Sequence, residues 1–132
     1  MDSLREVSQE VTRQMKIILK RFDSADETRT LVKGKFEIVR LGGMTIGRAT
    51  YEPGWKWSEH VGPDVGASHC TVEHVGMVLS GCATAAFEDG TVIEMKPGEL
   101  FYIPSTPHDS WVVGDRPYVS LHFRGADAYT KK

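Results

Sequence analysis

From residue 35 onward the sequence breaks into short apolar segments of alternating character, each closed by glycine, proline or aspartate within a few residues. That pattern restricts the chain more than any other feature. Period-two segments of five to eight residues bury one face of a strand, and they are too short and too often interrupted to form helices. FEIVR and MTIGRATY flank Gly42-Gly43, a two-residue hairpin signal. A long loop, EPGWKWSEHVGPDVGASH, precedes the segment CTVEHVGMVL, and Ser80-Gly81 turns the chain into CATAAFE. After the Asp89-Gly90 turn come TVIEM, ELFYI, DSWVV and YVSLHF, separated by KPG, PSTPH and GDRP. About nine such strands predict an all-β sandwich or barrel.

The N-terminal part differs. Leu4, Val7, Val11, Ile18 and Leu19 recur at helical spacing, so a helix is expected over residues 3 to about 21, capped by Asp2 or Ser3. The polar stretch FDSADETRT then reads as a linker. The expected organisation is an N-terminal helix and linker over 1–29 and one β-barrel domain over 30–132. At 132 residues the chain is long enough to bury a core without a structural clamp.

Charge narrows the function classes. The formal net charge is -2, with basic residues scattered, which argues against a nucleic-acid surface. No apolar run approaches the ~20 residues of a membrane span. The N-terminus carries acidic residues without a continuous apolar stretch, so a cytoplasmic protein is expected. In that compartment Cys70 and Cys82 are expected to be free thiols or metal ligands.

The chemistry-bearing residues are five histidines, at positions 60, 69, 74, 108 and 122, and Cys70. Alternate residues of a strand share a face, so Cys70 and His74 point the same way. They are also separated by roughly 13 Å of strand rise. Both can reach one ion only if Cys70 sits at a bend before the strand begins. His69 competes for the same place if a bulge reverses the parity. His122 reads as structural or exposed, and Cys82 as an ordinary strand residue. Arg48 is either a paired surface charge or a fork for a substrate carboxylate. Asp109 is either an acceptor or base beside His108 or a turn cap. Trp55, Trp57, Phe101, Tyr102 and Trp111 are expected to build the core and rim.

The stretch from Pro53 to Pro117 resembles the paired motifs of the cupin superfamily, in particular small bacterial single-domain cupins. Gly54 precedes His60 by the family's five-residue spacing. Six residues separate His74 from Gly81, which puts His74 in the slot of the family's glutamate. Cys70 falls four residues before His74, in the slot of its second histidine. The insert VGPDVGASH between His60 and Cys70 departs from the pattern. In the second motif, Pro97-Gly98-Glu99 stands for the usual Pro-Gly-Asp, and Ile103-Pro104 and His108 match.

The resemblance implies a cupin-type double-stranded β-helix, or jelly-roll barrel. It also implies one divalent metal ion held by His60, Cys70, His74 and His108. Cys70 and His74 soften the usual donor set, so zinc is the first expectation, with iron or nickel next. A homodimer and a small-molecule ligand or substrate are further implications. The function is expected to be a metal-dependent enzyme of oxygenase, isomerase or lyase type. The alternative is a non-catalytic binding or sensor cupin with a structural metal. Four protein ligands would close the site, whereas three would leave an open position.

Overall fold

Gly42 and Gly43 both take positive φ, 57° and 78°, the backbone that a two-residue hairpin turn needs and that side chains resist. They join strands β2 (Gly34–Leu41) and β3 (Met44–Tyr51), paired antiparallel from Leu41 with Met44 down to Gly34 with Tyr51. The structure is a computed structural model and describes residues 16–129.

Seven further strands complete the description. Strand β1 is Glu27–Leu31, β4 His74–Ser80, β5 Ala83–Phe87 and β6 Val92–Met95. Strand β7 is Leu100–Ile103, β8 His108–Asp109 and β9 Tyr118–Arg124. They form a six-stranded sheet, ordered β1-β2-β3-β9-β4-β7, facing a three-stranded sheet, β6-β5-β8. The last strand is inserted between β3 and β4. This is an all-β jelly-roll barrel of the cupin type.

The alternation in the sequence becomes the barrel's inside and outside. Phe36 and Ile38 on β2, Ala49 and Tyr51 on β3, and Val78 on β4 are buried in one core. Fully burying a side chain such as Phe36 stabilises the fold by about 2–3 kcal/mol. Trp55 stacks on Tyr51 with ring centroids 3.7 Å apart, which seals one end of the core. Trp57 is buried as well, whereas Trp111 and Phe101 are half-buried and Tyr102 is exposed.

Four stretches differ from the sequence reading or lie partly outside the described residues. The expected helix over 3–21 lies mostly outside the described residues, and residues 16–21 are not helical. Lys20 there reaches Asp26 at 2.9 Å and the Arg40 carbonyl at 2.7 Å. The stretch read as a linker contains the short 3₁₀ turn Phe22–Ser24 and all of strand β1 but its last residue. Its polar composition hid the strand. At a sheet edge the ladder bonds to β2 suffice, and Arg29 and Glu27 pair with each other. The long loop also holds two helical turns, Trp57–His60 and Gly62–Val65. DSWVV contributes only its aspartate to β8, followed by isolated bridges at Trp111 and Val112.

Candidate metal centre

Cys70 does sit outside strand β4, as its reach to His74 requires. It forms an isolated antiparallel bridge with His108, donating its N–H to the His108 carbonyl at 2.8 Å and accepting the His108 N–H at 3.0 Å. A residue pair joined by both bonds projects its side chains to the same face. His74, the first residue of β4, enters from the facing sheet through its pairing with Ile103. The Cys70 sulfur lies 3.5 Å from His74 Nε2. The rings of His74 and His108 lie edge to face at 5.6 Å. One donor atom from each of the three residues falls within 4.8 Å of the other two, and all three residues are buried.

Burial sets the electrostatics. It pushes the Cys70 thiol up to about 11, partly opposed by a backbone hydrogen bond at Val72. His74 is lowered to about 2 by burial, with repulsion from His122 and His108 adding to it. His108 is lowered for the same first reason, opposed by its bond to the Thr106 carbonyl. Neutral imidazoles are what a metal needs. Beside a cation the thiol preference inverts, because a coordinating thiol loses its proton.

The residues fit an ion on two observations. His108 Nδ1 lies 2.8 Å from the Thr106 carbonyl, the outer partner that fixes a ligating imidazole's tautomer and leaves Nε2 its lone pair. Secondly, ligands on a tetrahedral zinc stand about 3.4–3.8 Å apart; the Cys70 sulfur and His74 Nε2 meet that spacing at 3.5 Å, and the three donors lie within 4.8 Å of one another. One sulfur and two imidazole nitrogens suit zinc and other late first-row divalent ions.

The other sequence candidates lie elsewhere. His60 ends the first helical turn, half-buried, and is not in the donor group. Its Nδ1 takes the Lys56 N–H at 2.9 Å within that turn, and the insert VGPDVGASH then carries the chain through a second helical turn before Cys70. His69 is also outside the group, beside Ser68 and 3.7 Å from Glu88. Arg48 alternates with the inward-facing Gly47 and Ala49. It pairs with Glu37 at 3.0 Å on the opposite face and lies over the Phe22 ring. It holds no place in the barrel interior. Asp109 accepts the Ser58 N–H at 3.0 Å and the Ser58 hydroxyl at 2.7 Å, so it caps the first helical turn. Both cysteines are free thiols.

Of the two readings of His122, structural or exposed, burial excludes the second. It is buried beside His74, with ring centroids 5.4 Å apart, and its Nε2 lies 3.0 Å from the Ser120 hydroxyl. Tyr118, Ser120 and His122 alternate along the inward face of β9. Strand parity alone would have placed them together. Tyr51 and Tyr129 also reach the interior, joined by a 2.7 Å bond from the Tyr51 hydroxyl. The cavity bounded by these groups and the three donors measures about 30 Å³.

No protein-family model matches the chain, and neither does any curated protein. Solved structures do match in fold. A Rhizobium leguminosarum protein of unknown function is 24% identical and superimposes with a TM-score of 0.58, over 82% of this chain and 95% of that one. Ectoine synthase from P. lautus is 9% identical with a TM-score of 0.58, over 83% and 78%. Oxalate decarboxylase from Lactobacillus farciminis is 15% identical with a TM-score of 0.56, over 87% of this chain and 36% of the decarboxylase. At these identities the likeness establishes the cupin fold. No helix of the described residues is long and apolar enough to cross a membrane.

Proposed function

We propose that the barrel binds one divalent metal ion through Cys70, His74 and His108 and acts there on a small organic molecule. The observation that carries this reading is the convergence of three buried donors from separate parts of the chain. With His60 outside the group, the set counts three protein ligands, the number typical of catalytic zinc sites that keep a position open. That favours an enzyme over a closed structural centre. Zinc is the first choice and iron or nickel the next. Two proteins of this fold, ectoine synthase and oxalate decarboxylase, are named as enzymes.

When bound, the ion would supply Lewis acidity to polarise a carbonyl, enolate or water. The chain's own groups do the rest. The Thr106 carbonyl orients His108, and burial keeps His74 neutral. Tyr51, Phe101 and Tyr118 wall the cavity and exclude bulk water. The chemistry belongs to the oxygenase, isomerase or lyase classes. Free thiols at Cys70 and Cys82 suit the cytoplasm. A homodimer belongs to the same proposal: Leu100 and Tyr102 on edge strand β7 are 75% and 60% exposed, and pairing that edge would cover them. A monomeric mass in sedimentation would remove that part.

The test is elemental analysis of protein purified without added metal, in wild type and in Cys70→Ser, His74→Ala and His108→Ala. Loss of the ion in the histidine variants is expected. Full retention in His74→Ala would overturn the site.

A further inference from the structure

The space next to the donors is divided in two. The inner cavity of about 30 Å³ holds one or two water molecules and no organic ligand. A second pocket of about 170 Å³ opens outside it, and Trp57, Cys70 and Tyr129 line both. Tyr129 is carried by the turn that follows β9, whereas Cys70 is bridged to His108 and Trp57 begins the first helical turn. Its ring is 4.9 Å from His74, edge on, and stacks over His122 at 5.5 Å.

Among the described residues the turn is held from outside by side chains of β1, β2 and β3, Arg40 of β2 standing 3.5 Å from the Asp127 carboxylate. Arg29 on β1 donates to the Tyr129 and Asp127 carbonyls, and Thr45 donates to the Asp127 carboxylate at 2.9 Å. Tyr51 holds the Tyr129 hydroxyl from within. The turn's own backbone bond is Tyr129 N–H to Gly125 carbonyl, at 3.0 Å. Gly125 stands at the start of the turn with φ of 89°, packed so closely that a Cβ would lie 2.2 Å from the Glu73 carbonyl oxygen. The turn lies outside the sheet ladders and is tied by side chains and one turn bond, so it opens locally at lower cost than the barrel although Ala126 and Tyr129 are buried.

We propose that Tyr129 sets the size of ligand admitted to the donor site. Outward displacement of the 125–129 turn joins the two spaces into a chamber for a small uncharged molecule that coordinates through one atom. The charge class follows from the walls. Neither the inner cavity nor the outer pocket has a lysine, arginine, aspartate or glutamate in its lining. Apart from the half-buried His69, a ligand carboxylate beyond the coordinating atom would meet no cationic side chain, which disfavours it against a neutral group. The inference rests on the metal reading above.

Cobalt(II)-loaded protein tests it, because a thiolate–cobalt absorption band reports both loading and ligand entry. Wild type should take one cobalt per chain and respond to imidazole. It should respond to phenylimidazole only at concentrations at least about tenfold above those needed by Tyr129→Ala. Arg29→Gln, which leaves the core intact, should shift phenylimidazole binding in the same direction. In Tyr129→Ala the para-carboxylate analogue of phenylimidazole should bind at least about tenfold more weakly than phenylimidazole itself. Failure of wild type to load cobalt would refute the metal reading. Normal loading with equal phenylimidazole affinity in wild type and Arg29→Gln would refute the gate. Equal binding of the two probes in Tyr129→Ala would refute the charge class.

Discussion

Cys70 and His108 exchange both of their backbone hydrogen bonds, at 2.8 and 3.0 Å, across an isolated bridge between two loop-bounded segments. Two donor side chains from distant positions are thereby fixed side by side before any ion binds. His74 then needs only its place at the start of β4 to complete the group. Such preorganisation spares a metal the work of ordering its ligands.

His60→Ala should leave metal content unchanged, because His60 stands outside the group of three donors. The variant loses the bond to the Lys56 N–H, worth about 0.5–1.5 kcal/mol. Urea unfolding and metal analysis of the same preparation check both statements. Loss of metal would restore His60 to the ligand set.

Asp109→Asn should cost about 1 kcal/mol, since it weakens the bonds to Ser58 without reaching the donors. Unaltered metal affinity with a lowered denaturation midpoint is the expected pair of results. A large fall in metal affinity with full stability would make Asp109 part of the site.

His122 gives the metal-free protein a defined acid sensitivity. Burial lowers it to about 4 from its ordinary 6.5. Between those values the unfolded chain holds a proton that the folded chain refuses. Stability is therefore complete above pH 6.5 and falls as the pH drops towards 4, by about 1.4 kcal/mol per unit and about 3 kcal/mol in all. His74 acts in the same direction. Chemical denaturation from pH 7 to 5 should show a shallower slope in His122→Gln than in wild type; equal slopes would contradict the assignment.

Gly76→Ala should destabilise the barrel by about 2–4 kcal/mol. A Cβ there would lie 2.0 Å from the Leu121 carbonyl oxygen and 2.6 Å from the Phe101 ring. The carbonyl belongs to neighbouring strand β9 and cannot yield alone. A melting temperature equal to wild type would mean that the two strands stand further apart than described.

The sequence disclosed what depends on local chemistry. The Gly42-Gly43 hairpin, the alternating strands and the bend at Cys70 all follow from backbone preference and parity. It concealed what depends on neighbours. Strand β1 is polar because its edge position demands little burial, so its residues resemble a linker. His60 shares a motif spacing with the family, but nothing in that spacing reveals that the following insert forms a second helical turn. His122 was legible in principle, since Tyr118, Ser120 and His122 share the inward face of one strand. Its burial beside His74 required knowing that β9 lies between β3 and β4.

In the proposed centre one thiolate and two imidazoles hold the ion. X-ray absorption at the edge of the bound metal tests it most directly. The spectrum should contain one sulfur at about 2.3 Å and two imidazole nitrogens at about 2.0–2.1 Å for zinc, with the sulfur shell absent in Cys70→Ser. A wild-type spectrum without sulfur, or with three or more imidazoles, would contradict the account.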